Sequence, residues 1–247
     1  MRTRREFLGS SMAALPAAWL PQAGAAAQPR SGLHVVAIGG HPDDPETGCG
    51  GTLAIASAAG HRVTVVYLTR GERGIEGATL EAAARTRTGE AEAACHILGA
   101  TPVFAGQIDG ATEFSRDHAE RFTTLVRGLQ PDLVLTHWPI DTHADHQVAS
   151  LLAFRAWLSL GHAFTLCYFE VNAGEQTRGF SPTDYVDITA VAEVKRRAVL
   201  AHASQGGADI LRDHHGPMAT FRGREIGVAQ AEAFVRLTGH QAVLPAG

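Results

Sequence analysis

Residues 39–51, GGHPDDPETGCGG, place one histidine, two adjacent aspartates and a glutamate within six positions. A second polar cluster, DTHADH, spans 141–146. His41, Asp43, Asp44 and Glu46 in the first, with Asp141, His143, Asp145 and His146 in the second, offer nitrogen and oxygen donors. Histidine with carboxylate suits Zn²⁺, with a water in the open position of a catalytic site. Carboxylates this close repel, and a divalent cation removes most of that cost. Successive aspartates project differently, so one of the pair can bind metal while the other faces the bound water. Each cluster alone has a plainer reading: acids suit the first turn of a helix, and HADH reads as a cap with solvated histidines. The two together favour a metal site.

Other chemistries fit less well. Gly48, Gly50 and Gly51 do not complete a dinucleotide fingerprint, three carboxylates would repel a pyrophosphate, and the second strand ends in Thr69-Arg70 where a ribose-binding acid belongs. No G-x-S-x-G nucleophile elbow occurs. Cys49, Cys95 and Cys167 make no disulfide framework and read as small buried hydrophobes. On the helix over 79–98, Leu80, Ala84, Ala91, Ala94 and Leu98 share a face with Arg87. A buried arginine needs a partner: Arg87 either pairs with a structural carboxylate or snorkels to the rim, or it reaches a substrate hydroxyl or a site carboxylate. DHH at 213–215 reads as an exposed loop rather than a second metal site.

These clusters need a frame to bring them together. Apolar runs at 33–39, 62–69, 102–105, 131–137 and 163–170 read as strands, with helical patterns between them. Alternation of this kind predicts an α/β domain, a Rossmann-like, mostly parallel sheet flanked by helices. Beyond about residue 171 the pattern loosens to an edge strand near 185–189 and a helix over 190–203. Ligands of open parallel sheets bind beyond the carboxyl ends of the strands. HPDDPE follows the first strand and THWPIDTHADH the fourth, so both clusters fall on that edge.

The chain of 247 residues, 45% hydrophobic and 19% charged, is long enough for one sizeable globular domain. A net charge of −4 gives no footprint for nucleic acid, and no apolar run reaches membrane-span length. Arg4 and Arg5, then Phe7-Leu8, a weakly apolar segment and small residues at Ala23, Ala25 and Ala27 resemble a twin-arginine export signal. The expected division is a signal over 1–27 and a mature domain over 28–247, periplasmic or secreted, with no stable membrane span after cleavage.

GGHPDDPETGCGGTLA resembles the A-H-P-D-D-E signature of the PIG-L/LmbE-like deacetylases, and DTHADHQVAS resembles their H-x-D-H motif. LTRGERG, RTRTGEAEAACHILGA, YVDITAVAEVKRRAVLAHASQ and AEAF match lesser patterns in the expected order. The departure is Pro45, which stands between Asp44 and Glu46, and no role passes to Glu46. The resemblance implies one zinc per chain, with Fe²⁺ or Co²⁺ as alternatives, ligated by His41, Asp44 and His146. It implies Asp43 as general base, His143 as the residue serving the oxyanion or leaving amine, and Asp145 as its orienting partner. Arg87 and His202 are placed by the same patterns near the substrate. The implied activity is removal of an acetyl group from N-acetylglucosamine-type saccharides or glycoconjugates. The alternatives are an amidase of a thiol-sugar conjugate or antibiotic precursor, and a non-catalytic carbohydrate-binding relative. Whether copies of the chain associate is left open by the sequence.

Overall fold

A computed structural model describes residues 32–237; the export-signal reading lies outside them. The central sheet has seven strands in the order β3-β2-β1-β4-β5-β7-β6. They are β1 (His34–Gly39), β2 (Arg62–Tyr67), β3 (Thr101–Phe104), β4 (Leu133–His137), β5 (Thr165–Phe169), β6 (Asp184–Asp187) and β7 (Ala231–Leu237). The first five run parallel, and β7 pairs antiparallel with both β5 and β6. The expected mostly parallel α/β sheet is present. The antiparallel β7 went unread, because its AEAFVRL run lacks a helix-strand alternation around it.

The strands read as continuous apolar runs because both faces are covered. On β1, Val35 and Ala37 enter one core while Val36 and Ile38 enter the other, as the two-residue period of a strand requires. Helices α3 (Arg116–Leu129) and α4 (Ala144–Ser159) pack on the second face. Helices α1 (Asp44–Ala58), α2 (Leu80–Leu98) and α5 (Ala192–Leu200) pack on the first. The chain then passes through α6 (Gly207–Ile210), a π-helical turn over Leu211–His215, and α7 (Gly216–Ile226) before entering β7. All three cysteines are buried and free, and burial raises their thiol pKa values, Cys95 to about 12 and Cys167 to about 11. Leu80, expected on the buried face of α2, is exposed in its first turn, whereas Arg87, Ala84, Ala91, Ala94 and Leu98 are buried.

The sheet order reverses between β1 and β4. A crevice opens at such a switch point, beyond the carboxyl ends of the two strands. The glycines after β1 serve packing here. A side chain at Gly48 would collide with the Phe169 ring, and one at Gly51 would meet Ile188 at 2.6 Å. Without those atoms α1 can sit low against the strand ends, which brings its first turn into the crevice.

Candidate metal centre and active site

The turn after β1 is held in an uncommon conformation. Asp43, the N-cap of α1, has φ 115°, a region that costs a non-glycine residue about 1–3 kcal/mol. Two buried side chains hold it. Glu46, fully buried, accepts from the Asp43 backbone N–H at 3.2 Å and from the Tyr67 hydroxyl at 2.5 Å. Pro45 is therefore no disruption. It occupies the first helical turn, where its missing N–H has no partner to lose, and the spacing places Glu46 at the third helical position, where a capping side chain reaches back. Arg87, 3% exposed, donates to the Pro42 carbonyl and lies 3.2 Å from the Asp43 carboxylate. Gly71 and Gly74 of the LTRGERG segment leave the room its guanidinium occupies. Of the two readings of Arg87, the pairing with a site carboxylate is the one realised, and the residue also borders the cavity.

Asp44 projects the other way, into a group of imidazoles. Its Oδ2 lies 3.3 Å from His41 Nδ1 and its Oδ1 lies 3.3 Å from His146 Nε2. The far nitrogen of each histidine is engaged by carboxylates. His41 Nε2 is 3.0 Å from Asp145 and 3.1 Å from Asp109, and His146 Nδ1 is 3.3 Å from Asp141. Carboxylates behind imidazoles fix tautomer and ring orientation in metal sites. Donor atoms bound at 2.0–2.1 Å in a tetrahedral array stand about 3.3 Å apart, the separation of Asp44 from each of the two histidines, through different carboxylate oxygens; among the described residues the triads whose donor atoms all lie within 4.8 Å of one another are His41–His143–His146, Asp44–His137–His146 and His41–Asp109–Asp145. The residues fit a divalent metal, and a metal there would relieve the crowding of Asp44 with its acidic neighbours.

His143 caps α4. Its Nδ1 accepts from the Asp145 backbone N–H at 3.2 Å, which puts the ring proton of the neutral form on Nε2, where it can donate. Its ring is 4.6 Å from those of both His41 and His146. The expected orientation of His143 by the Asp145 carboxylate is not found. That carboxylate instead takes hydrogen bonds from Gly110 N–H and the Thr112 hydroxyl and pairs with His41, because the first turn of α4 points it back toward β1. Asp145 thus positions a metal-site histidine and does not border the cavity.

His202 also departs from expectation. It is 0% exposed, lies 3.6 Å from Glu46 and is not among the residues that border the cavity, so it lies beneath the turn. The end of α5 tucks it under the first turn of α1. His215, expected in an exposed loop, is 3% exposed and borders the cavity. His137 and Asp109 were missed. His137 accepts from Gly40 N–H at 3.0 Å and touches Asp44 at 3.2 Å; its place as the last residue of β4 at the switch point is the signal that would have found it. Asp109 sits in a loop without periodicity and carries no such signal. It is held by the LTRGERG segment, through the Arg73 backbone N–H.

Electrostatics sort these groups. Burial pushes the Asp43 carboxyl up to about 6, against the pull of Arg87 and with the help of Asp44. Burial opposes the ionised form of Asp44 too, but His146 and His137 hold it well below the usual carboxylate range. His146 is raised to about 9 by Asp44 and Asp141 despite burial. Burial and the neighbouring His41 lower His143. Two adjacent carboxylates with opposite shifts have different tasks open to them. His41, Asp43, Asp44, His143 and His146 all border one cavity of about 390 Å³, with Arg73, Asn172, Gln176 and Gln205 around its rim.

The profile of the PIG-L family, described as GlcNAc-PI de-N-acetylase, matches residues 36–157. The diacetylchitobiose deacetylase of Thermococcus kodakarensis is 32% identical over 71% of this chain and 71% of its own length. The 4-oxalmesaconate hydratase of Pseudomonas putida is 29% identical over 84% of this chain and 88% of its own. The solved N,N'-diacetylchitobiose deacetylase of Pyrococcus horikoshii, complexed with an inhibitor, superposes with a TM-score of 0.72 at 27% identity, covering 84% of each chain.

Proposed function

The chain belongs to the PIG-L family of de-N-acetylases, and from that membership we propose that it hydrolyses the acetamido group of N-acetylglucosamine-type saccharides or glycoconjugates. The observation that carries the reading is the division of labour at residues 43 and 44. One carboxylate sits among carboxylate-backed imidazoles, and its neighbour, held by Arg87 and Glu46, faces the same cavity with a raised pKa. His41, Asp44 and His146 would hold the metal, taken as Zn²⁺, with Fe²⁺ or Co²⁺ as alternatives. A bound divalent ion supplies Lewis acidity toward the amide carbonyl and the attacking water. Asp43 takes the proton from that water as it attacks, and a carboxyl poised near 6 suits a base working near neutrality. His143 donates from Nε2 to the developing oxyanion. The proton held on Asp43 then passes to the departing amine, so acetate and a free amino sugar leave. Asp145 and Asp109 keep His41 turned toward Asp44, and Asp141 does the same for His146.

His143→Ala is expected to keep the metal and lose most of its turnover, roughly 10²-fold or more, the usual worth of an oxyanion donor. Metal analysis beside kcat checks this; a metal-free variant would make His143 a ligand.

A second reading has support of its own. The hydratase relative covers more of the chain, and Arg73 borders the cavity with its side chain tied only to the Asp109 carbonyl among the described bonds, which would suit a carboxylate substrate. One experiment separates the two: acetate release from a panel of N-acetylated saccharides, run beside hydration of 4-oxalmesaconate. Acetate release without hydration supports the deacetylase, and the reverse overturns it.

The mature domain is taken as 28–247, exported to the periplasm or beyond by the twin-arginine route. The support is the paired Arg4-Arg5 and the small residues ending at Ala27. Among the described residues no helix is long and apolar enough to cross a membrane. Replacing Arg4 and Arg5 with lysine is expected to retain the protein in the cytoplasm, and fractionation showing normal export would refute the assignment.

A further inference from the structure

A second cavity of about 500 Å³ lies beside the catalytic one and has no part in the mechanism above; Asn172, Glu175, Asp213, His214, Met218 and Phe221 are among the residues that border it. Asn172 borders both cavities. Two segments run between them, and adjacent residues of each segment border different cavities. In the loop after β5, Gln176 borders the first cavity and Glu175 the second. In the π-helical turn, His215 borders the first and His214 the second. The loop is tied across its own turn: the Gln176 N–H donates to the Asn172 carbonyl, and the Asn172 side-chain amide donates to the Gln176 side chain, both at 2.9 Å. The two cavities are neighbours across a fixed rim.

Phe221 of α7 is 55% exposed in the second cavity. A lone exposed apolar side chain is ordinary, but this ring is held. The Arg222 guanidinium lies over it, 5.4 Å from the ring centroid, and over Phe180 at 5.7 Å. Arg222 is itself locked, donating to Glu170 at 2.6 and 2.8 Å and to Glu225 at 2.8 Å. Phe221 is therefore a preorganised apolar platform, open on the side away from the guanidinium. Polar side chains stand around it: Asn172, and the pair Glu175 and His214 at 3.7 Å from one another. A pyranose matches this combination. Its C–H face is attracted by the electron-rich face of an aromatic ring, and its edge carries hydroxyls for the polar groups. A wholly apolar ligand would gain nothing from that rim. We propose that the second cavity is a saccharide subsite, in which Phe221 stacks on the sugar ring next to the one being deacetylated. The proposal rests on the deacetylase reading and deepens it, because the preferred substrates then have two or more rings.

The test compares wild type, Phe221→Ala and Phe221→Tyr on N-acetylglucosamine, N,N'-diacetylchitobiose and the phenyl glycoside of N-acetylglucosamine. Phe221 belongs to neither core, so alanine there leaves the fold intact. For the disaccharide, Phe221→Ala is expected to raise KM about 3- to 10-fold, the usual worth of an aromatic contact, with kcat little changed. The monosaccharide fills the first cavity alone and is expected to react equally well with both proteins. Phe221→Tyr keeps the ring and is expected to restore the disaccharide KM. Equal effects on monosaccharide and disaccharide, or no effect on either, overturn the subsite. An effect confined to the phenyl glycoside also overturns it, by making the cavity a seat for an apolar aglycone. Failure of the deacetylase reading looks different, because wild type would then release no acetate from any of the three. Calorimetric titration of the disaccharide into wild type and Phe221→Ala reads the platform even in that case, and equal affinities overturn the proposal.

Discussion

Asp43→Asn is expected to keep its metal and lose kcat by roughly 10²–10⁴, the usual worth of a general base. Asparagine has the same shape and tolerates positive φ better than most residues, so the turn at φ 115° survives the change. Glu46 still receives the backbone N–H of residue 43, and Arg87 still reaches the Pro42 carbonyl. What disappears is the group that takes the proton, so the loss lies mainly in the transition state and KM changes little. Asp44→Ala is expected to fail for another reason. It removes the oxygen atoms that stand 3.3 Å from His41 and His146, so metal affinity falls and turnover falls with it. Metal content and kcat measured on both variants separate the roles. A metal-free Asp43→Asn beside a loaded Asp44→Ala reverses them, and a loaded, fully active Asp43→Asn removes Asp43 as the base.

Chelation is expected to abolish acetate release completely, and added Zn²⁺ to restore it, while the apo protein stays folded. The two cores are apolar clusters on either face of the sheet, and none of His41, Asp44 or His146 belongs to them. The sheet therefore does not depend on the ion, unlike a small zinc domain whose folding is metal binding. Removing the carboxylate behind a ligand should make the metal easier to strip. Asp145→Ala is expected to weaken metal binding about 10- to 100-fold, the usual cost of losing such support, since Asp145 stands 3.0 Å from His41. Circular dichroism and turnover on the chelated protein check the first expectation, and a metal titration checks the second. Full turnover after verified metal loss would refute the catalytic ion.

The amino-acid order alone determined the alternation of strands and helices and the edge of the sheet where both polar clusters fall, with nitrogen and oxygen donors in each; the choice of His41, Asp44 and His146 among those donors is what the family resemblance implies. Such features are local. A strand shows its two-residue period and a helix its 3.6-residue period within a dozen positions, and HPDD and HADH each lie in one turn. The roles decided by tertiary structure belong to residues whose partners are far along the chain. His41 meets Asp145 across 104 positions, and Gly40 meets His137 across 97. Asp109 and His215 come from a loop and a π-turn that carry no periodic signal. Asp145 faces His41 and not His143 because the backbone direction at the start of α4 aims it there, a vector no spacing rule encodes. His202 and Glu46 are buried beneath the turn because glycines at 48 and 51 let α1 close onto the strand ends. Proximity across such separations is set by how the helices pack on the sheet, so the ligand types were written in the sequence and their supporting shell was written in the packing.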